Sequence, residues 1–117
     1  MPLIQLDTSC DLSNPEKRNT IVKEISKLAA VCIGKPEKYV MAAVRDNVTM
    51  TMAGEPAPAA LVSVKSIGSL TKEINQKVTT EICKMLQNEL GIVGDCVFVT
   101  FEELPPTNWG WNSATFG

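Results

Sequence analysis

Residues 54–64, Gly54-Glu55-Pro56-Ala57-Pro58-Ala59-Ala60-Leu61-Val62-Ser63-Val64, decide the fold, because a dense cluster of chain breakers gives way at once to an apolar strand. The breakers mark a midpoint, and the pattern on their C-terminal side repeats the pattern on their N-terminal side. Upstream, Leu3 to Leu6 reads as a strand, followed by a turn-rich stretch from Asp7 to Leu12. Ser13-Asn14-Pro15-Glu16 then predicts a helix start, with Ser13 at N-cap, Glu16 at N3 and Pro15 in the first turn. Ile21, Ile25, Leu28, Ala29 and Cys32 recur at helical spacing, and Gly34 with Pro36 ends the helix. Tyr39 to Val44 is the next strand, Arg45-Asp46-Asn47 a turn, and Val48 to Met52 a short returning strand.

Downstream the same order returns. Ala59 to Val64 is a strand, Ser66-Ile67-Gly68 a turn, and Leu70, Ile74, Val78, Ile82, Met85 and Leu86 form the stripe of a second helix closed by Gly91. Cys96 to Phe101 is the last main strand. The chain therefore reads as a single α/β domain over residues 1–117, built from a duplicated β-α-β unit with pseudo-repeats at about 1–58 and 59–117. Right-handed crossovers within each unit predict one mixed sheet of about four main strands, with two helices on one face. The alternation assigns Leu6, Val44, Val64 and Val99 to the other face, which then needs a covering surface; oligomer formation supplies one.

Composition narrows the chemistry. The chain has 44% hydrophobic and 21% charged residues with a net charge of −2, and no Lys/Arg cluster of the kind that grips phosphates, so no nucleic-acid partner is expected. The N-terminus lacks a basic region and a long apolar stretch, and no apolar run approaches the roughly 18 residues of a spanning helix, which points to the cytoplasm and to no membrane partner. Secretion without a signal peptide is compatible with this reading. Asn47-Val48-Thr49 matches a glycosylation sequon and is read as a turn. Cys10, Cys32, Cys83 and Cys96 form no C-x-x-C pair and read as small buried hydrophobes. No histidine is present, which removes the commonest metal ligand and the commonest catalytic base. Neither a metal nor a cofactor is expected.

What remains for acid–base work is the terminus. A small residue after the initiator methionine favours its removal, and Pro2 would then present a secondary amine. An α-amino group titrates near 7.7–8.0 in model peptides, at about neutrality once burial or a nearby cation lowers it. Such a group is a ready general base. Lys35, just after the first helix, is the candidate cation; its alternative role is to neutralise the C-terminal end of that helix.

Four segments in order carry a resemblance: Met1-Pro2, Gly34-Lys35-Pro36-Glu37-Lys38-Tyr39-Val40, Ser66-Ile67-Gly68, and Asn108-Trp109-Gly110-Trp111-Asn112-Ser113-Ala114-Thr115-Phe116. Along its whole length the chain resembles the macrophage migration inhibitory factor and D-dopachrome tautomerase family of the tautomerase superfamily. The resemblance implies a homotrimer with active sites between subunits, and keto–enol tautomerisation of phenylpyruvate-like 2-oxo acids by the N-terminal proline. Pro2 would be the catalytic base and Lys35 the residue that draws in the substrate carboxylate. The Ile67 backbone N–H, beside Ser66, would bind a substrate oxygen, while Tyr39, Trp109, Trp111 and Phe116 would form pocket walls. Trp109 stands where well-known members carry a smaller aliphatic residue, and would narrow the pocket or stack on an aromatic substrate. Phe98 and Thr100 stand where animal members carry a tyrosine and an asparagine, so Phe98 offers a neighbouring subunit's site an apolar wall and no hydroxyl. Ala59-Ala60-Leu61-Val62 lacks the C-x-x-C of some animal members, and Ala53-Gly54 replaces a Gly-Gly turn. The resemblance also implies an alternative role, a cytokine-like interaction module whose receptor the sequence does not identify.

Overall fold

The structure, a computed structural model, describes residues 1–117. In chain order its elements are β1 (Pro2–Thr8), α1 (Pro15–Ile33), β2 (Met41–Arg45), β3 (Thr51–Met52), β4 (Glu55–Pro56), β5 (Ala60–Ser66), α2 (Lys72–Leu90), β6 (Val97–Glu103), β7 (Gly110–Trp111) and β8 (Ala114–Thr115). The main sheet has the order β2-β1-β5-β6. β1 runs parallel to β2 and β5 parallel to β6, while the two halves meet through the antiparallel pair β1–β5. This is the mixed four-stranded sheet expected of a duplicated β-α-β unit. The two helices are the crossovers, each of 19 residues.

Local chemistry sets the helix limits. Asn14, and not Ser13, caps α1: its side-chain oxygen accepts from the Glu16 N–H at 2.9 Å and from the Lys17 N–H at 3.5 Å. Ser13 is displaced from the cap because its own N–H is held by the Asp11 carboxylate at 2.8 Å in the preceding turn. Pro15 thereby becomes the first helical residue, where its missing donor costs nothing. Thr71 caps α2 through the Ile74 N–H at 3.2 Å. Gly34 and Gly91 end the two helices in the left-handed region, at φ 78° and 67°.

The core lies between the helices and one sheet face. Ile21, Ile25, Ala29 and Cys32 of α1 and Val78, Ile82, Met85 and Leu86 of α2 bury against Ile4, Leu6, Ala60, Val62 and Val64. Leu6 and Val64 are thus under the helices, and the register Leu6↔Val44, Leu6↔Val62 and Val62↔Val99 puts Val44 and Val99 there as well. The assignment of these four to the open face is corrected. Leu3-Ile4 and Leu61-Val62 are apolar on both parities, so alternation alone gives no phase; the helix stripes select it. The open face carries Leu3, Met41, Leu61 and Phe98 among Gln5, Asp7, Arg45, Ser63, Lys65 and Thr100. On it Arg45 donates twice to Asp7, at 2.8 and 3.0 Å, and holds that carboxyl below its usual range.

Two expected strands are shorter than predicted. Glu37–Tyr39 forms a 3₁₀ turn, so β2 starts at Met41 and not at Tyr39. Val48 donates to the Thr8 carbonyl at 3.0 Å without entering a ladder, which leaves only Thr51–Met52 as strand, paired to Glu55–Pro56. Asn47 lies at φ 54°, as its reading as a turn residue requires.

Because Ile82 is fully buried between α2 and the sheet, Ile82→Ala is expected to cost about 2–5 kcal/mol of stability. Val31→Ala, at a site 64% exposed, should stay within about 0.5 kcal/mol. Urea unfolding at one fixed protein concentration checks both.

Candidate functional site

Pro2 is the first residue of β1 and is buried, opposite Ser66 at the end of β5. Strand pairing therefore fixes the chain terminus at one end of the sheet. Beside it opens a cleft of ≈ 300 Å³ lined by three stretches: Met1 to Leu3, Lys38 to Met41, and Trp109 to Trp111. The 3₁₀ turn after α1 delivers Lys38 and Tyr39. The C-terminal hairpin β7–β8 delivers Trp111.

The aromatic wall is ordered by ring contacts. Tyr39 meets Trp111 edge to face, with centroids 5.9 Å apart and planes at 82°. Phe116 stacks on Trp111 at 6.0 Å and 11°. The hairpin turns through Asn112 and Ser113, both at positive φ (49° and 71°), and the Phe116 N–H closes it on the Trp109 carbonyl at 3.2 Å. Each ring thus reaches the cleft from a backbone that is itself hydrogen-bonded.

The electrostatics favour anions. The α-amine of Met1, one residue before Pro2, is held below its ordinary value, first by burial and second by the positive charge of Lys35. Lys35 N–H is tied to the Ala30 carbonyl at 3.1 Å, which anchors its backbone to the end of α1. Lys38 Nζ sits 5.0 Å from the Tyr39 ring centroid. No carboxylate lines the cleft. The nearby Glu37 faces away and accepts from the Ser26 hydroxyl at 2.9 Å.

The cleft thus gathers Pro2, Tyr39, Trp109 and Trp111, with Phe116 stacked behind and the charge of Lys35 acting on the terminus. Ser66 is fully buried beside Pro2, its hydroxyl without a partner and its carbonyl accepting from the Leu104 N–H at 2.9 Å; Ile67 follows, half-buried. Phe98 and Thr100 are not at this cleft. Phe98 pairs with Leu61, five rungs of the ladder from the Ser66↔Glu103 pair that adjoins Pro2, about 16 Å along the sheet. It is 62% exposed and borders a second hollow with Met50, Met52, Leu61 and Cys96. Lys38 is the charged lining residue missing from the sequence-based site, and Lys35 does not line the cleft. The signal for Lys38 was a second basic residue inside the Gly34–Val40 segment, which the 3₁₀ turn carries to the cleft.

Elsewhere, the widest groove, ≈ 540 Å³ between α1 and α2, contains Cys32, whose thiol burial pushes up and so makes it a poor nucleophile.

Comparison with known proteins agrees with this architecture. The family model described as Macrophage migration inhibitory factor (MIF) matches residues 1–117. The macrophage migration inhibitory factor of Xenopus tropicalis is 30% identical over 117 residues, covering 99% of each chain. The homolog from Trichuris trichiura is 30% identical over 116 residues, covering 99% of this chain and 100% of that one. Among solved structures, the homologue from Prochlorococcus marinus superposes with a TM-score of 0.92 at 38% identity, over 98% of this chain and 99% of that one. The MIF-like protein of Entamoeba histolytica gives 0.91 at 29%, over 98% of each. A match over every residue, relatives of equal length and a shared fold place the chain in the macrophage migration inhibitory factor family, within the tautomerase superfamily.

Proposed function

We propose that this protein is a cofactor-free keto–enol tautomerase of phenylpyruvate-like 2-oxo acids, with the amine of Pro2, exposed by loss of Met1, as its general base. The observation that carries the reading is the placement of Pro2, buried at the head of β1 and lining an aromatic cleft, next to a Met1 amine that burial and then the charge of Lys35 lower. A neutral amine takes a proton from the carbon beside the substrate carbonyl and returns it at the enol oxygen, or the reverse. The base must be neutral before it acts, and the surroundings that lower the Met1 amine, burial and then the charge of Lys35, act in the same direction on a Pro2 amine and raise its competent fraction at neutral pH. Lys35 draws the carboxylate of the substrate, the Ile67 N–H meets the oxygen that becomes enolate, and the rings of Tyr39, Trp111 and Phe116 hold the phenyl group.

The site is completed in a homotrimer. Support comes from the exposed apolar residues of the open face, Met41 at 67% and Phe98 at 62%, and from the distance between Phe98 and the chain's own Pro2. A neighbouring subunit brings Phe98 and Thr100 to the cleft, where Phe98 adds an apolar wall. Sedimentation equilibrium is expected to give a trimer, and a monomer at micromolar concentration would remove this part of the reading. A protein-interaction role is the second reading, supported by the names the relatives carry; it predicts partner binding that survives Pro2→Ala.

Enolisation of phenylpyruvate, followed by ultraviolet absorbance, tests the catalytic reading. Pro2→Ala should lower kcat/KM by about 10²-fold or more, and intact mass should show Met1 removed from the active protein. Equal activity in the variant, or full activity with Met1 retained, overturns the assignment. The pH profile gives a second test. Activity rises with pH as the amine loses its proton; Lys35→Ala removes a like charge, raises the amine pKa and moves that rise to higher pH. A profile unmoved by the substitution would show that Lys35 does not act on the base.

A further inference from the structure

The cleft wall carries a cation of its own. Lys17, Arg18, Arg45 and Lys84 each have an acidic partner within 4 Å, and Lys35 and Lys38 are among the basic residues in no ion pair. Of these, Lys38 is the one that lines the cleft, and no carboxylate lines it beside Lys38. The only carboxylate between Lys35 and Lys38 in sequence, Glu37, is turned toward Ser26 on α1. The two cations also differ in position. Lys35 acts on the Met1 amine, next to Pro2, where the reacting carbon lies in the proposed reading. Lys38, within the 3₁₀ turn, lines the cleft at the aromatic wall with its Nζ over the Tyr39 ring.

We infer that the cleft selects a dianionic substrate: a 2-oxo acid with a flat unsaturated or aromatic body and a second carboxylate at the end remote from the carbonyl, bound there by Lys38. This rests on the proposed function for the location of the reacting end, and it goes beyond that reading in naming the charge of the other end. With Lys35 engaged by the 2-oxo carboxylate, a monoanionic phenyl ring leaves the Lys38 ammonium against an uncharged edge. A carboxylate on that ring pairs with it in a partly enclosed, acid-free setting. Tyr39 supports the arrangement, since the Lys38 Nζ lies 5.0 Å from its ring centroid, at the cleft wall.

Equilibrium binding tests this without turnover. Both tryptophans of the chain, Trp109 and Trp111, line the cleft, so intrinsic fluorescence reports occupancy directly. The probes are 3-phenylpropanoate and 3-(4-carboxyphenyl)propanoate, alike in shape and differing by one carboxylate. The wild type should bind the dicarboxylate about fivefold more tightly or better, a ratio corresponding to one partly screened ion pair. The preference should shrink as ionic strength rises. Lys38→Gln should bring the ratio close to one, and Lys38→Arg should restore it. Because Lys38 is exposed, neither change threatens the fold. A wild-type ratio near one, a preference that survives Lys38→Gln, or no dicarboxylate binding at millimolar concentration overturns the inference. Failure of the tautomerase reading shows separately, as turnover that is indifferent to Pro2→Ala.

Discussion

The antiparallel ladder between β1 and β5 is the constraint on which the rest of the molecule depends. It joins the two halves, and its register determines where the chain terminus stands. A slip of one residue would turn Ile4 and Leu6 from the core to the open face. The far end of the ladder is clamped: the Thr8 hydroxyl donates to the Ala59 carbonyl at 2.8 Å, the Ser9 N–H to the same carbonyl at 3.2 Å, and the Ala59 N–H returns to the Ser9 hydroxyl at 3.0 Å. With Thr8 fully buried, this knot is shielded from water. Seven residues of paired strand carry that fixity from Thr8 back to Pro2. A chain end, ordinarily the most mobile part of a protein, is here as well placed as a core residue.

The site walls have another origin. None of Lys38, Tyr39, Trp109 or Trp111 belongs to the hydrophobic core. They sit on a single 3₁₀ turn and on a two-rung hairpin. Core burial therefore positions Pro2, while short hydrogen-bonded loops position what surrounds it. This division allows side chains in the cleft to change without loss of packing, so that Trp109 or Lys38 can tune the ligand while Pro2 keeps its place. The same division appears in the electrostatics. Asp7 and Asp46 are depressed by charged and backbone donors that also tie strands and loops together, whereas Lys35 and Lys38 are in no ion pair.

Most of the architecture was legible because two kinds of signal agreed. The helical stripes from Ile21 to Cys32 and from Leu70 to Leu86, each closed by glycine, bracket strands of uniform apolar character, and the break at Gly54–Pro58 divides the repeats. Strand phase was not legible. Strands such as Leu3 to Leu6 and Ala60 to Val64 carry apolar residues on both parities, and only their packing against the helices decides which side is inward. The cap at Asn14 was obscured by Ser13, an equally suitable residue whose N–H the Asp11 carboxylate captures first. For the cleft, Pro2, Tyr39, Trp109 and Trp111 were named from motifs and line it, whereas Lys38 lines it and was not named. Its significance lies in an unpaired charge in three dimensions, which no local pattern contains.

The second hollow, at the opposite end of the sheet, shows what duplication can and cannot copy. Its 3₁₀ turn, Gly94–Cys96, repeats Glu37–Tyr39, and the β3–β4 hairpin with positive φ at Ala53 and Gly54 repeats the C-terminal hairpin. In this correspondence Ala60 takes the place of Pro2, Ile92 that of Lys35, Asp95 that of Lys38, and Cys96 that of Tyr39. The backbone is reproduced, yet the nitrogen at Ala60 stays in a peptide bond whatever becomes of Met1, and has no lone pair to offer a proton. A polypeptide has only one α-amine. Two β-α-β units in one chain therefore share it, and the second hollow, with Leu61 and Phe98 on its rim, has none of its own.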